Sequence, residues 1–489
     1  MHQRIFEVNA RLLIKRFSTK HKKATLIDIP PDYWNTLAEK GFQYVWLMGI
    51  WNTPAKSGQK YLLKEYNIES YNRSLKDWTM KDVGGSPFAI DSYVLDPRYG
   101  TIEELLLVKK FLNSINIKLI LDFIPNHFFC ESSLLKENPE FFLTATEKDL
   151  EDDPFSFFKN PATNGKVIAH GRDPFFPAWS NTAQLNYFNP AVQHFMIEQL
   201  LHIALLCDGV RCDMAMLMLN NVFNNTWRGL IDRNVYPKPS VEFWDWAIKV
   251  VKARFPNFTM IAEAYWDHEW TLQQLGFDFT YDKKLHDRMK EAPSSSVRDH
   301  LLGDMVFQTK SVRFIENHDE HRAVVAYGCE KSLAAATVVA TVPGLALFYD
   351  GQFEGKKIKL PVQLEREPEE TPSKRTMHYY ETLLQVTNNE VFKYGEFTVL
   401  FPSRVANSNS SENILAHLWK YKGEYRLVII NFSSNSAQAR IKFGFNNQVE
   451  FVRMYDLLHK KHYDRSTSEI VLHGLFVELN GWQSHIFAF

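Results

Sequence analysis

The chain has 489 residues, with 56 Lys and Arg against 57 Asp and Glu and a formal net charge of −1. That length is too great for one ordinary domain and suits a barrel of ~250 residues with added parts. The charge balance offers no basic footprint for nucleic acid and no polybasic patch for a membrane surface. No run of ~18 apolar residues occurs, so no helical membrane span is expected. The first ten residues lack the charged head and long apolar stretch of a secretory signal. Cys130, Cys207, Cys212 and Cys329 have neither disulfide-framework nor zinc spacing. These features together lead to the expectation of a cytoplasmic protein without nucleic-acid or membrane partners.

Strand-like and helix-like segments alternate from the start, the pattern of a parallel α/β architecture. Residues 5–9 read as a first strand and 32–40 as a helix closed by Gly41, since glycine accepts the left-handed backbone that ends a helix. Residues 43–48 read as a second strand. Residues 101–116 have helical apolar spacing, with Thr101 and Glu104 placed as a capping box, and 117–122 read as a third strand. The alternation then breaks. Residues 128–185 hold many Pro, Asn, Gly, Asp and Phe residues without a sustained period, too long a stretch for a simple loop.

A helix at 189–206 restores the pattern. Strands follow at 209–213, 257–263 (after a helix near 241–254), 277–281 and 311–316. A helix at 331–341 leads to an eighth strand at 345–349, and 374–387 read as the last helix. Beyond about residue 390 the texture changes to short alternating runs at 397–401, 414–419, 425–432, 437–443, 449–455, 469–472 and 484–489, the pattern of an antiparallel β-sandwich. The predicted architecture is a (β/α)8 barrel formed by 1–127 and 186–389, an inserted subdomain at 128–185, and a C-terminal sandwich at 390–489.

Four apolar runs end in polar groups, in a fixed order. They are Leu-Ile-Leu-Asp122-Phe-Ile-Pro-Asn126-His127, Asp208-Gly-Val-Arg211-Cys-Asp213, Met-Ile-Ala-Glu263-Ala and Phe-Ile-Glu-Asn317-His318-Asp319. In parallel barrels the catalytic groups sit at the C-terminal ends of several strands. Asp122, Asp213, Glu263 and Asp319 fall there on strands three, four, five and seven. Any one alone reads more readily as a helix cap or a salt-bridge partner; their joint, ordered occurrence points to chemistry. Retaining glycoside hydrolysis needs a carboxylate nucleophile and a carboxylic acid ~5–5.5 Å apart. Adjacent strands four and five can bring Asp213 and Glu263 face to face. Arg211, two positions before Asp213 and so on the same side of the strand, would hold it ionised. An apolar setting with Trp266 nearby would raise Glu263 for acid work.

The four motifs resemble the four motif regions of the α-amylase family of glycoside hydrolases. The resemblance extends over roughly residues 5–489 and includes Gly84-Gly-Ser-Pro-Phe-Ala-Ile-Asp91, Gln184-Leu-Asn-Tyr-Phe-Asn-Pro190 and Pro343-Gly-Leu-Ala-Leu-Phe-Tyr349. It implies Asp213 as nucleophile, Glu263 as acid/base and Asp319 as the acid that stabilises the transition state. It also implies substrate contacts from Asp122, Arg211, His127 and His318. Phe88 stands near where the family commonly has a stacking Tyr. Met216-Leu217 stand where many α-amylases have Lys-His on the acceptor side. Trp51, Phe128, Phe175, Phe176, Trp179 and Trp266 are candidates for sugar stacking or for core. No cofactor is required. A structural calcium is open, with Asn126 as a ligand and Glu151, Asp152, Asp153 and Asp173 either adding oxygens or forming a solvated acidic loop. The expected partner is an oligosaccharide or α-glucan. Hydrolysis and transglycosylation share the same covalent intermediate and stay open. A non-catalytic, amylase-like protein is disfavoured by the presence of all three acids, and a metal hydrolase by the lack of a His-x-His or His-Glu-x-x-His motif.

Overall fold

The computed structural model describes residues 2–53, 59–233, 235–405, 408–444 and 449–489. Eight parallel strands close into a barrel: β1 (His2–Asn9), β2 (Tyr44–Met48), β3 (Lys118–Phe123), β4 (Gly209–Cys212), β5 (Thr259–Ala262), β6 (Phe279–Tyr281), β7 (Ser311–Arg313) and β8 (Gly344–Tyr349). β1 pairs with both β2 and β8, and this pairing closes the ring. All eight strands were legible as apolar runs; the seam between the first and the last was not.

Strand parity decides what faces the barrel axis, because successive side chains point to opposite faces. Ile5, Tyr44, Trp46, Met48, Ile120, Ile261, Tyr281, Leu345 and Leu347 pack together inside the barrel. Phe6, Val8, Val45, Leu47, Val210 and Cys212 take the other parity and join the larger core under the surrounding helices. Glu7, Asp122 and Arg211 share the inward parity and are buried, at 0 %, 0 % and 1 % exposure. The upper end of the barrel interior is therefore charged, and its lower layers are apolar.

Local signals place the helices. In helix Ile102–Ser114 the Thr101 and Glu104 side chains each accept a hydrogen bond from the other's backbone N–H, as the spacing predicts. Helix Pro31–Glu39 ends at Gly41, whose φ of +76° is the left-handed conformation expected there. A Cβ at this glycine would also meet the Asn388 side chain at 2.6 Å.

Segment 128–185 leaves and rejoins the barrel through a short antiparallel pair, His127–Phe129 with Thr182–Gln184. Between them lies a small sheet of Thr144–Ala145, Val167–Ala169 and Phe157–Lys159. The C-terminal part holds a six-stranded and a three-stranded antiparallel sheet, with a separate core of Ile414, Leu427, Ile429, Ala439, Ile441 and neighbours. One expectation fails here. Residues 469–472 are not a strand but part of helix Thr467–His473, whose first turn is capped by the Ser466 hydroxyl accepting from Glu469 N–H. An apolar run of three residues carries no usable period, and the cap decides. Two C-terminal strands of five or more residues went unpredicted, Lys461–Ser466 and Leu475–Leu479. The first reads Lys-His-Tyr-Asp-Arg-Ser and stands at the sheet's edge, where charge is tolerated and discourages further pairing. No described helix is long and apolar enough to cross a membrane.

Candidate active site

Asp213 and Glu263 are the residues that immediately follow β4 and β5. The two strands pair in register, Cys212 opposite Ala262, so the acids emerge side by side. Backbone bonds continue past the strand ends: Glu263 N–H donates to Cys212 O at 3.0 Å and Ala215 N–H to Glu263 O at 3.0 Å. Arg211 joins the two carboxylates. Its Nη1 lies 2.6 Å from Asp213 Oδ1 and its Nη2 2.7 Å from Glu263 Oε2. The guanidinium is fixed from behind by aromatic rings, with Trp46, Phe88 and Tyr281 centroids at 5.1, 5.4 and 5.6 Å.

Glu263 has two further partners. Tyr265 O–H donates to Oε1 at 2.8 Å, and Met214 N–H to Oε2 at 2.7 Å. Met214 has a φ of +44°, a left-handed conformation that costs a non-glycine residue roughly 1–2 kcal/mol. That strain turns its N–H onto the carboxylate, and strain of this kind gathers at functional sites.

The third acid has a different support. Asp319 follows β7 by six residues, and half of its side chain (53 %) is open to the cleft. His318 Nε2 lies 3.0 Å from Asp319 Oδ2, and His318 Nδ1 lies 2.6 Å from Glu7 Oε1. Glu7, at the upper end of β1, also accepts the His318 backbone N–H at 3.3 Å. A buried imidazole is thus held between two carboxylates.

These contacts set the protonation states. Burial pushes Glu263 up to about 7, against the pull of Arg211 and with help from the negative charges of Asp213 and Asp319. Burial raises Asp213 too, opposed by Arg211 through both charge and hydrogen bond. His318 pays a desolvation cost, yet Asp319 and Glu7 lift it to about 10, so it is an imidazolium at neutral pH. The same contact, with more distant help from Arg211, outweighs desolvation at Asp319 and holds its carboxyl well below the usual range. His127 is driven the other way, down to about 4, by burial, and stays neutral.

Asp213, Glu263, Asp319, His127 and Phe88 all line one cleft of about 1220 Å³ at this end of the barrel. Its walls are aromatic. Tyr61 and Tyr66 stand on the segment after β2, and Phe155 and Trp179 on the segment after β3. Phe88 lies over His318 with ring centroids 5.2 Å apart and planes 23° from parallel. His127 Nε2–H donates to Phe88 O at 2.9 Å.

Several expected contacts are elsewhere. Asp122 lies below the cleft floor, fully buried; Trp46 Nε1–H reaches one of its oxygens at 3.0 Å and Gly49 N–H the other at 2.6 Å. It braces β2 against β3 and is shut off from a sugar. Arg211 and His318 are both 1 % exposed at their side chains and act behind the acids rather than on the cleft surface. Trp266 is not a cleft residue. A φ of +57° turns the chain there, and its ring packs edge-on against Phe175 at 4.9 Å. The aromatic group beside Glu263 is Tyr265. Met216 and Leu217 are buried in the core, at 0 % and 2 %, and form no wall of the cleft. Trp51 and Phe128 are core as well. Glu316 and Arg322 form a buried ion pair at 2.7 Å.

Glu7, Tyr265, Tyr281 and Trp46 were missed. Glu7 carried a usable signal, since it obeys the same strand-end and parity rules as the motif acids.

Calcium takes about 6–8 oxygens, and two of its candidate donors already have partners within the protein. Asn126 spends its amide on Gln184, donating to Oε1 at 3.1 Å and accepting from Nε2 at 2.9 Å. Asp173 Oδ1 accepts the Phe175 and Phe176 N–H groups at 2.7 and 2.9 Å. Glu151 and Asp152 are exposed at the end of helix Glu147–Asp152.

The family model described as the α-amylase catalytic domain matches residues 35–378. Alpha-amylase 3 of Dictyoglomus thermophilum is 22 % identical over 436 residues, 78 % of this chain and 80 % of its own. A cyclomaltodextrinase of Thermoanaerobacter pseudethanolicus is 23 % identical over 407 residues, 78 % of this chain and 62 % of its own. Among solved structures, a noncanonic maltogenic α-amylase of Thermotoga neapolitana superposes with a TM-score of 0.71 at 20 % identity, covering 100 % of this chain and 98 % of that one. The matched span takes in β2 to β8, with all three acids and the arginine that joins two of them, and on that ground the chain belongs to the α-amylase family of glycoside hydrolases.

Proposed function

We propose that this protein hydrolyses α-glucosidic bonds of maltooligosaccharides and related α-glucosides with retention of configuration. Asp213 is the nucleophile, Glu263 the acid/base and Asp319 the stabiliser of the oxocarbenium-like transition state. The observation that carries the reading is the double ion pair of Arg211. Adjacent nitrogens of one guanidinium hold both acids, which favours the close ~5–5.5 Å spacing of a retaining pair. A persistent cation beside Asp213 favours its ionised, attacking form. Glu263, pushed up to about 7, carries a proton to give to the leaving oxygen and can take one back from water. Asp319 stays anionic against its imidazolium and lines the same cleft as the other two acids. The aromatic walls suit the apolar faces of sugar rings. Three of the four cysteines are buried, which agrees with a reducing, cytoplasmic setting.

The test is Asp213→Asn assayed on maltotriose. The variant should fold as the wild type does and lose essentially all turnover, because an amide cannot attack the anomeric carbon. Substantial residual turnover would remove Asp213 from the role. Proton NMR of the first products should show the α-anomer; initial β-anomer would mean inversion. Products longer than the substrate would assign the chain to glucanosyl transfer on the same intermediate.

A further inference from the structure

Away from the cleft, the C-terminal sandwich contains a compact set of nitrogen and oxygen donors. Asp456 ends strand Phe451–Asp456, His459 lies in the turn that follows, and His485 comes from the neighbouring strand Ser484–Ala488. Asp456 Oδ2 lies 2.7 Å from His459 Nδ1 and 2.6 Å from His485 Nδ1. Its other oxygen accepts Leu458 N–H at 3.1 Å. Candidate ligand atoms of the three residues lie within 4.8 Å of one another, and no other such group of acid, His or Cys donors occurs among the described residues.

The charge of Asp456 is met by imidazoles alone among the described residues. Its side chain is 0 % exposed. A buried carboxylate needs a counter-charge, and Lys or Arg, the ordinary sources, are absent from it. Protons on the histidines are one solution. A divalent cation is the other, and the donor types fit it: two imidazoles and a carboxylate suit Zn²⁺ and its neighbours in the transition series. Metal bonds of ~2.0–2.1 Å at a tetrahedral angle would space the donors by about 3.3 Å, a short outward movement from the present hydrogen-bonded distances. His459 is 40 % exposed at its side chain, so the site has an approach from solvent.

We propose that Asp456, His459 and His485 form a binding site for a divalent transition-metal cation that ties the turn after strand Phe451–Asp456 to strand Ser484–Ala488. The affinity should be moderate. Only three protein ligands are present, and the group behind His485 Nε2 is the Gln483 amide nitrogen at 3.4 Å, a donor where a metal-bound imidazole would want an acceptor.

The experiment titrates the full chain with ZnCl₂ by calorimetry, alongside His459→Ala and His485→Ala, with circular dichroism to confirm that each variant is folded. His459 is half exposed, so its variant should fold. The wild type should take up one equivalent, its Tm should rise with added Zn²⁺, and Co²⁺ should give the visible absorption of a four-coordinate complex. Both variants should lose at least about tenfold in affinity, as removal of a direct ligand costs no less than an outer-shell change. Glu263→Gln should bind as the wild type does, which separates this site from the cleft acids. Absence of saturable binding, or equal binding by wild type and His459→Ala, would overturn the proposal and leave a hydrogen-bonded Asp-His-His cluster.

Discussion

One guanidinium touches two carboxylates for which opposite duties are proposed. Arg211 touches both Asp213 and Glu263, so it cannot by itself make one an anion and the other an acid. The difference comes from the rest of each environment. Burial and the charge of Asp319 raise both; Glu263 also feels the charge of Asp213, whereas Asp213 gains a hydrogen bond from Arg211, and Tyr265 O–H and Met214 N–H fix where the Glu263 oxygens point. Two outcomes follow. Because Glu263 must be protonated to act as acid and its value lies near 7, the proton leaves as pH rises through that value. The alkaline limb of kcat/KM should therefore fall from about pH 7, read from initial rates across pH. Glu263→Gln should remove this limb and slow a natural disaccharide far more than an aryl glucoside, whose leaving group needs little protonation. Equal losses on both substrates, with glycosylation rate-limiting for each, would contradict the assignment.

Among elements, the strand ends were readable because a barrel strand has two independent signatures, an apolar run and a polar residue where it stops. Parity added the inward face, and with it Arg211 beside Asp213. What could not be read was anything that depends on a partner far along the chain. The sequence ranks Asp122 with the other strand-end acids, but Trp46 and Gly49 claim both its oxygens. His318 and His127 sit in the motifs, yet His318 Nδ1 goes to Glu7 and His127 Nε2 to Phe88 O, partners that no local pattern names. Trp266 and Met214 turn on left-handed backbone at non-glycine positions, which a sequence does not announce. Helix caps fared better because they are local. Thr101→Ala removes the hydroxyl that accepts Glu104 N–H and should lower stability by about 0.5–2 kcal/mol, with kcat unchanged. Urea denaturation measures the first and a standard assay the second; an unchanged midpoint would mean that tertiary packing alone sets this helix.

At the scale of the molecule, the cleft is enclosed from two directions. The segment after β2 contributes Tyr61 and Tyr66, and the segment after β3 contributes Phe155 and Trp179. Met216 and Leu217, at the positions where many α-amylases have Lys-His on the acceptor side, are both core. The aromatic enclosure arises from these two segments, and it bears on substrate length. A walled cleft holds a few sugar rings by their faces and gives a long internal chain little room to lie across. kcat/KM should therefore be as high on maltose or maltotriose as on maltoheptaose and exceed that on soluble starch. A steady rise with chain length, with mid-chain cleavage of starch, would show that the walls leave both ends of the cleft open.

The contact between Glu7 and His318 spans 311 positions of sequence, and β1 meets β8 only once nearly the whole barrel exists. Part of the proposed catalytic site is therefore a product of ring closure. Topologies with such distant contacts fold slowly, because loop entropy is lost before the contact is gained. Activity should accordingly be among the last properties to return on refolding. After dilution from denaturant, far-ultraviolet ellipticity should recover first, and turnover of a chromogenic glucoside should lag behind it. Glu7→Gln, which weakens the seam at the site itself, should lengthen that lag. Recovery of ellipticity and turnover in a single shared phase would mean instead that the first and last strands find each other at the outset.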